Sequence, residues 1–314
     1  MTVATSAQLS LALPRSRRVS FGSPALPPNL LVRGDARDVL AAQAPGSLDV
    51  IYIDPPFATG RTQRGRAGAY DDRAPLGDFL PWLAERLRLA HRALADTGSL
   101  LLHLDYRAVH HARVELERIF LPARGLMVNE IVWAYSVGGK GPRAFGRKHD
   151  TILWFARSPR YAFFPDAVRV PRRPGSHMRV KLDEAGAPIQ EKTDRKTGRV
   201  YRYPVAAGKV PEDVWTDIET LNRSDRERTG WPSQKPERLL TRLLGATCPP
   251  GGRVGDVFVG SGTTAVVAQR LGFGFVCGDA SADAVAVAEA RITRAARDSV
   301  ATGPKVPDLV LATL

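Results

Sequence analysis

Two short stretches carry residues whose types and order could do chemistry. Asp54-Pro55-Pro56-Phe57 closes the apolar run Val50-Ile51-Tyr52-Ile53 with a carboxylate, two prolines and an aromatic ring. A turn needs Pro or Gly, but not an acid beside a ring. The four residues therefore offer more than a chain reversal: a hydrogen-bond acceptor next to a flat apolar face. The second stretch is Gly255-Asp256-Val257-Phe258-Val259-Gly260-Ser261-Gly262-Thr263-Thr264. It follows a strand pattern and opens a helix pattern over Thr264–Leu271. Glycines there admit a ligand close to the backbone, and a helix start presents free N–H groups. Asp279 ends the next apolar run, where an acid suits hydrogen bonding to ribose hydroxyls.

Several ligands fit a glycine turn of this kind. A phosphate loop needs Lys after its last glycine, and Thr263 stands there, which excludes it. Gly260-x-Gly262-x-x-Ala265 fits a dinucleotide site. An S-adenosylmethionine site fits as well, with an acid at the first strand end and the turn wrapped around the methionine portion. A purely structural βα turn is the third reading.

The elements that must hold these residues show in the hydrophobic pattern. Apolar runs recur at Leu30–Val32, Val50–Ile53, Ser99–Leu102, Glu130–Trp133, Thr151–Phe155, Arg253–Phe258 and Phe273–Cys277. Such runs read as strands buried on both faces of a parallel sheet. Helical spacing lies between them at Asp78–Leu94, Tyr106–Phe120, Pro236–Ala246 and Ser281–Ala296. Alternating strands and helices predict an α/β fold with a mostly parallel, doubly wound sheet. Residues 157–212 break the rhythm with a basic, turn-rich segment carrying interleaved aromatics. It reads either as a solvated insertion or as a module facing nucleic acid. Residues 58–75, rich in Gly and Arg, read as a long loop that closes over the site's partner.

With 314 residues and 44% hydrophobic content, the chain can bury a full core. Its formal net charge of +13 favours a polyanionic partner, most simply nucleic acid. Cys248 and Cys277 make no C-x-x-C pair, so neither a disulfide framework nor a zinc site is indicated. The histidines show no metal-ligand spacing, and Lys148-His149-Asp150 reads as the approach to a strand. No apolar run has the length of a membrane span, and the N-terminal apolar patch precedes the basic residues, the reverse of a secretory signal. A cytoplasmic protein is expected.

Taken together, these stretches resemble the DNA amino-methyltransferases, which methylate exocyclic nitrogens. Asp54-Pro55-Pro56-Phe57 matches their catalytic motif. Asp256 through Thr264 matches their cofactor motif, with Val257 where the family usually has Pro. Trp231-Pro232-Ser233-Gln234-Lys235-Pro236 matches the segment that precedes it. The catalytic motif comes first and the cofactor glycines last, the permuted order of the beta group. The resemblance implies a class I S-adenosylmethionine-dependent methyltransferase fold with an inserted recognition region. Its parts would be an N-terminal arm (1–29), a catalytic half (30–156), a target-recognition insert (157–212), a cofactor half (213–299) and a tail (300–314).

It also implies roles. Asp54 and the Pro55 carbonyl would accept the N–H groups of the target amine. Pro55 and Pro56 would restrict the backbone so that these acceptors converge, and Phe57 would stack on a base flipped out of the duplex. S-adenosyl-L-methionine would be held by Asp35 at its adenine, by Asp279 at its ribose, and by Gly260 and Gly262 along the methionine portion. Gln234 and Lys235 would lie near its carboxylate, with Asp256, Phe258, Ser261 and Thr263 completing the site. No metal is needed. Arg61, Arg64 and Arg66 in the loop, and Arg172, Arg173, Arg179, Lys196, Arg199 and Arg202 in the insert, would touch DNA.

The implied partner is double-stranded DNA, with a second copy of the chain and a cognate restriction endonuclease as candidates and no membrane. Asp at position 54 leans towards adenine N6. The alternatives are cytosine N4, an RNA base, or a non-catalytic DNA-binding protein on the same fold. Cytosine C5 chemistry needs a cysteine after a proline, whereas Cys248 precedes Pro249.

Overall fold

The computed structural model describes residues 16–23, 26–137, 142–172, 180–301 and 305–314. In chain order its elements begin with β1 (Ser16–Val19), β2 (Asn29–Arg33), α1 (Ala36–Ala41) and β3 (Leu48–Ile53). They continue with β4 (Arg61–Gly65), β5 (Gly68–Asp72), α2 (Leu76–Ala93), β6 (Leu94–Leu104) and α3 (Val109–Phe120). Then come β7 (Leu126–Ala134), β8 (His149–Ala156), β9 (Val180–Leu182), β10 (Pro188–Thr193), β11 (Val200–Pro204) and β12 (Val214–Trp215). The chain closes with α4 (Glu237–Thr247), β13 (Arg253–Asp256), α5 (Thr263–Arg270), β14 (Gly274–Asp279), α6 (Ala282–Ala301) and β15 (Leu309–Thr313). Among the described residues, no helix is long and apolar enough to cross a membrane.

The chain divides into two compact units. One ends at Phe163 and resumes at Asp213; the other is Phe164–Glu212. The larger unit is built on a ten-stranded sheet in the order β1-β15-β2-β14-β13-β3-β6-β8-β7-β12. From β15 to β6 every neighbouring pair is parallel, while β8 runs antiparallel to both β6 and β7. The central strands are apolar on both faces because both faces are covered. On β3, Val50 and Tyr52 join one buried cluster with α4, α5 and α6. Ile51 and Ile53 point the other way into a cluster with α1, α2 and α3, which Leu48 joins across a register shift between Leu48 and Val50. This period-two division fixes the strand register, since a slip of one residue would exchange the two faces.

The first and last stretches, read as an arm and a tail, supply β1 and β15, which extend this sheet beyond β2. Asp308 anchors that edge, accepting from Arg18 Nε at 2.8 Å and from the Phe21 amide at 2.8 Å. Residues 58–75, read as a loop, contain the antiparallel hairpin β4–β5. Its strands carry no apolar alternation, because what holds them is a ladder and one docked edge rather than a buried face.

The smaller unit carries a three-stranded antiparallel sheet, β9-β10-β11, with a bridge between Val170 and Lys209. It starts at Phe164 and not at 157. Arg157 to Phe163 belong to the larger unit, where the Arg157 amide donates to the Gly98 carbonyl and Tyr161 and Phe163 pack on Trp154.

Candidate active site

β3, β13 and β14 are parallel neighbours, so their carboxyl ends lie side by side. That is where open α/β sheets bind ligands. Asp54 follows the last residue of β3, Asp256 is the last of β13 and Asp279 the last of β14. All three line one cavity with an empty volume of about 740 Å³, mouth included. Its walls are Tyr52 and Asp54–Phe57 on one side, and Phe258–Ser261, Thr263 and Thr264 on another. Tyr70, Leu240 and the segment Trp231–Lys235 complete it.

The β4–β5 hairpin is fastened over this cavity. Its Tyr70 ring stacks on Trp231 at 6.5 Å between centroids, and the Tyr70 hydroxyl donates to Ser233 Oγ at 3.0 Å. Ser233, at φ 58°, and Ala58, at φ 55°, both hold left-handed backbone without being glycine. Such conformations cost energy and gather at functional sites.

At the catalytic end, Lys235 Nζ lies 2.8 Å from Asp54 Oδ2 and 5.0 Å from the centre of the Phe57 ring. Asp54 Oδ1 is buried and has no hydrogen-bond partner among the described residues. Burial pulls the Lys235 ammonium down, but the carboxylates of Asp54 and Asp150 outweigh it and hold its pKa above the ordinary value. Behind Phe57 stands a buried polar chain. Tyr52 Oη lies 2.8 Å from His103 Nδ1, His103 Nε2 lies 3.2 Å from Asp150 Oδ2, and the Tyr135 hydroxyl donates to Asp150 Oδ1 at 3.0 Å. The Phe57 and His103 rings lie 6.0 Å apart.

At the other end, Asp279 Oδ2 accepts from the Gly260 amide at 3.0 Å and Asp256 Oδ1 from the Phe258 amide at 2.9 Å. These bonds shape the turn. Burial raises both carboxyls, Asp256 to about 7. At Gly260, φ +48°, a Cβ would stand 3.0 Å from Trp231 Nε1, a tight contact in a backbone conformation that side chains rarely adopt. Behind the turn, buried Arg291 donates to Thr263 Oγ1 at 2.8 Å and pairs with Glu237 at 2.6 Å.

The structure gathers most of the residues singled out from the sequence and moves several. Asp54, Pro55, Pro56, Phe57, Gln234, Lys235, Asp256, Phe258, Gly260, Ser261, Thr263 and Asp279 all line the cavity. Asp35 does not. Its carboxylate caps α1 through the Arg37 amide at 2.8 Å and pairs with Arg86 at 2.7 Å, an ordinary use of an acid before a helix. Gly262 is not a lining residue either. A Cβ there would meet the Ala288 Cα at 2.9 Å, so this glycine serves the packing of α5 against α6. Lys235 pairs with the catalytic-motif acid rather than standing free for a carboxylate. Gln234 is spent on the loop, accepting from Thr229 and donating to the Glu227 carbonyl at 2.7 Å.

Arg61, Arg64 and Arg66 are exposed on the hairpin, and Arg61 borders a second open cleft with Tyr106, Phe145 and Arg147. In the smaller unit Lys196 and Arg199 are exposed at the β10–β11 turn. Arg202 pairs with Glu191 at 3.1 Å, and Arg172 lies over the Tyr203 ring at 4.9 Å. Arg173 and Arg179 fall outside the described residues. Sequence reasoning missed His103, Asp150, Tyr70 and Arg291. For His103 a signal existed: period two on β6 places it on the face of Leu101, which pairs with Tyr52. Tyr70 had none.

A parallel sheet with an antiparallel strand towards one edge, and a cavity over its carboxyl ends lined by an acidic strand end and a glycine turn, define the class I methyltransferase fold. A family model described as DNA methylase, of the N6/N4 type, matches residues 48–290. The chain belongs to that family. It is 31% identical to the type II methyltransferase M.BglII of Bacillus subtilis over 77% of this chain, and the match spans 63% of that relative. It is 29% identical to the DNA adenine methyltransferase YhdJ of Escherichia coli K12 over 78% of this chain and 76% of the relative. Solved structures share the fold. The cytosine-N4-specific PvuII DNA methyltransferase superposes with TM-score 0.60 at 16% identity, covering 89% of this chain and 95% of that one. The M1.HpyAVI–SAM complex gives 0.54 at 15%, covering 84% and 98%.

Proposed function

We propose that this chain methylates the exocyclic N6 of adenine at a specific sequence in duplex DNA, by direct transfer to a base flipped out of the helix. S-adenosyl-L-methionine is the cofactor, and when bound it supplies an electrophilic methyl group. One observation carries the reading: a single cavity joins Asp54-Pro55-Pro56-Phe57 to the Gly260 turn and the half-buried Asp279. The fit of the cofactor rests on that end of the cavity. Gly260 leaves a cradle that a Cβ would fill, and buried Asp256 and half-buried Asp279 are acceptors suited to hydroxyl and amine donors.

The chain's own residues then divide the work. Phe57 offers a face for the flipped base. Asp54 and the Pro55 carbonyl accept the two N–H groups of the target amine, which frees its lone pair from the ring. Holding the amine in line is most of what such a transfer requires. Exposed Arg61, Arg64, Arg66, Lys196 and Arg199 meet the phosphates. A cognate restriction endonuclease belongs to the same proposal.

The deciding experiment incubates the protein and S-adenosyl-L-methionine with unmethylated genomic DNA, digests the DNA to nucleosides and weighs them. N6-methyladenine is the expected product. N4-methylcytosine would move the target to the other amine of the family, for which the PvuII likeness in fold speaks. No methylated nucleoside would leave a DNA-binding protein on a methyltransferase fold.

A further inference from the structure

Asp54 uses its two oxygens differently. Oδ2 is engaged by Lys235 Nζ at 2.8 Å, in a pair whose side chains are only 10% and 17% exposed. Oδ1 is buried and has no hydrogen-bond partner among the described residues. Folded proteins leave few buried acceptors without a donor, and each such case calls for a reason. The Lys235 ammonium is itself held from three sides. It touches Asp54, lies 5.0 Å from the Phe57 ring centre and feels Asp150 behind. Its backbone carbonyl accepts from Thr263 Oγ1 at 3.1 Å, which ties it to the first residue of α5. The cation therefore links the glycine turn to the carboxylate at the end of β3.

We propose that Lys235 is a positioning residue for methyl transfer: by occupying Oδ2 it orients Asp54 so that Oδ1 accepts the N–H of the target amine. The role deepens the methyltransferase reading and rests on it. It differs from a role in holding the cofactor's carboxylate, because the ammonium is already committed to Asp54. A point-like ammonium suits the task, since it pins one oxygen without the fork of a guanidinium, which would engage both.

The test uses the full-length protein, unmethylated genomic DNA and S-adenosyl-L-methionine, with Lys235→Met, Lys235→Arg, Asp54→Asn and the double variant Asp54→Asn/Lys235→Met. Lys235→Met should slow single-turnover methylation about 100-fold, the scale on which one preorganised electrostatic partner acts. Cofactor affinity by calorimetry should change by less than about threefold, since only the transferred group's acceptor is disturbed. Lys235→Arg should recover part of the rate. In the Asp54→Asn background the Lys235 change should cost nothing further, because residues acting through one another are not additive.

Loss of affinity by about tenfold or more with the maximal rate kept would make Lys235 a cofactor clamp and overturn the proposal. An unchanged rate, or additive losses in the double variant, would overturn it too. If Lys235→Met alone does not fold, the double variant, which carries neither member of the buried ion pair, decides the question by comparison with Asp54→Asn. Wild-type protein that methylates no DNA would instead defeat the functional reading itself.

Discussion

The buried His103 imidazole and Asp150 carboxylate meet at 3.2 Å, Nε2 to Oδ2, next to the Phe57 ring. With Nε2–H donating to Asp150, Nδ1 is left to accept from the Tyr52 hydroxyl at 2.8 Å. Burial pushes the Tyr52 phenol far above its usual range, so it remains a donor. The chain is satisfied at every link, and it braces the strand end that carries Asp54.

Replacing His103 by Leu should therefore strand two buried polar groups at once. The expected loss is about 3 kcal/mol of unfolding free energy, from Asp150 Oδ2 and the Tyr52 hydroxyl together, while Tyr135 still serves Asp150 Oδ1. Urea denaturation of the folded variant measures it. A loss under about 0.5 kcal/mol, the scale of ordinary surface changes, would show that the chain braces nothing.

Two acids should make opposite contributions to stability against pH. Burial raises the Asp256 carboxyl from 3.8 to about 7. Its native form holds a proton that the unfolded chain releases, so this stabilisation is complete below about pH 4 and is lost as pH rises through about 7. The full span is on the order of 4 kcal/mol. Asp150 behaves the other way. Burial pushes it up, but His103 and Lys235 pull harder, and its net position is below 3.8. Its stabilisation is present above pH 4 and lost as pH falls below that. Melting temperatures of wild type and Asp256→Asn from pH 5 to 8 isolate the first effect. The wild type should lose ground to the variant as pH rises; parallel curves would refute the buried proton.

Gly260 and Gly262 should respond differently to the same change. Gly262→Ala places a Cβ 2.9 Å from the Ala288 Cα at φ +81°. It should cost about 2–4 kcal/mol of stability through strain and overpacking, and cofactor affinity should fall only as far as folding does. Gly260→Ala faces Trp231 on the cavity wall. It should weaken S-adenosyl-L-methionine binding in a protein that still folds. Calorimetry and thermal melts on both variants separate the two; equal effects on binding at equal stability would reject the distinction.

Within the smaller unit, Lys196 and Arg199 are exposed, whereas Arg202 and Lys181 are both drawn to Glu191. Lys196→Ala and Arg199→Ala should each flatten the log–log salt dependence of duplex DNA binding by about 0.9, the release expected for one phosphate contact. Fluorescence anisotropy over a salt series measures the slope. Slopes identical to wild type would place the phosphate contacts elsewhere, with Arg61, Arg64 and Arg66 the next to test.

Residue types and their spacing were enough for the parts whose signals are local. Strands buried on both faces need unbroken apolar runs, so β2, β3, β6, β8 and β14 were legible. A strand that must end in Asp54-Pro55-Pro56-Phe57, and a turn that needs Gly260, announce themselves by residue type. Tertiary structure decided which distant groups meet. Lys235 and Asp54 pair because α5 holds the Lys235 carbonyl where β3 ends. Asp35 turns to α1 and Arg86 because its helix start needs a cap. Gly262 is required by Ala288, a residue of a helix later in the chain. Residues 61–72 become a hairpin because Tyr70 finds Trp231 and Ser233 to dock on. Periodicity records which face of a strand or helix is buried. It carries no information about which partner waits on that face, and strand order and packing alone supply that.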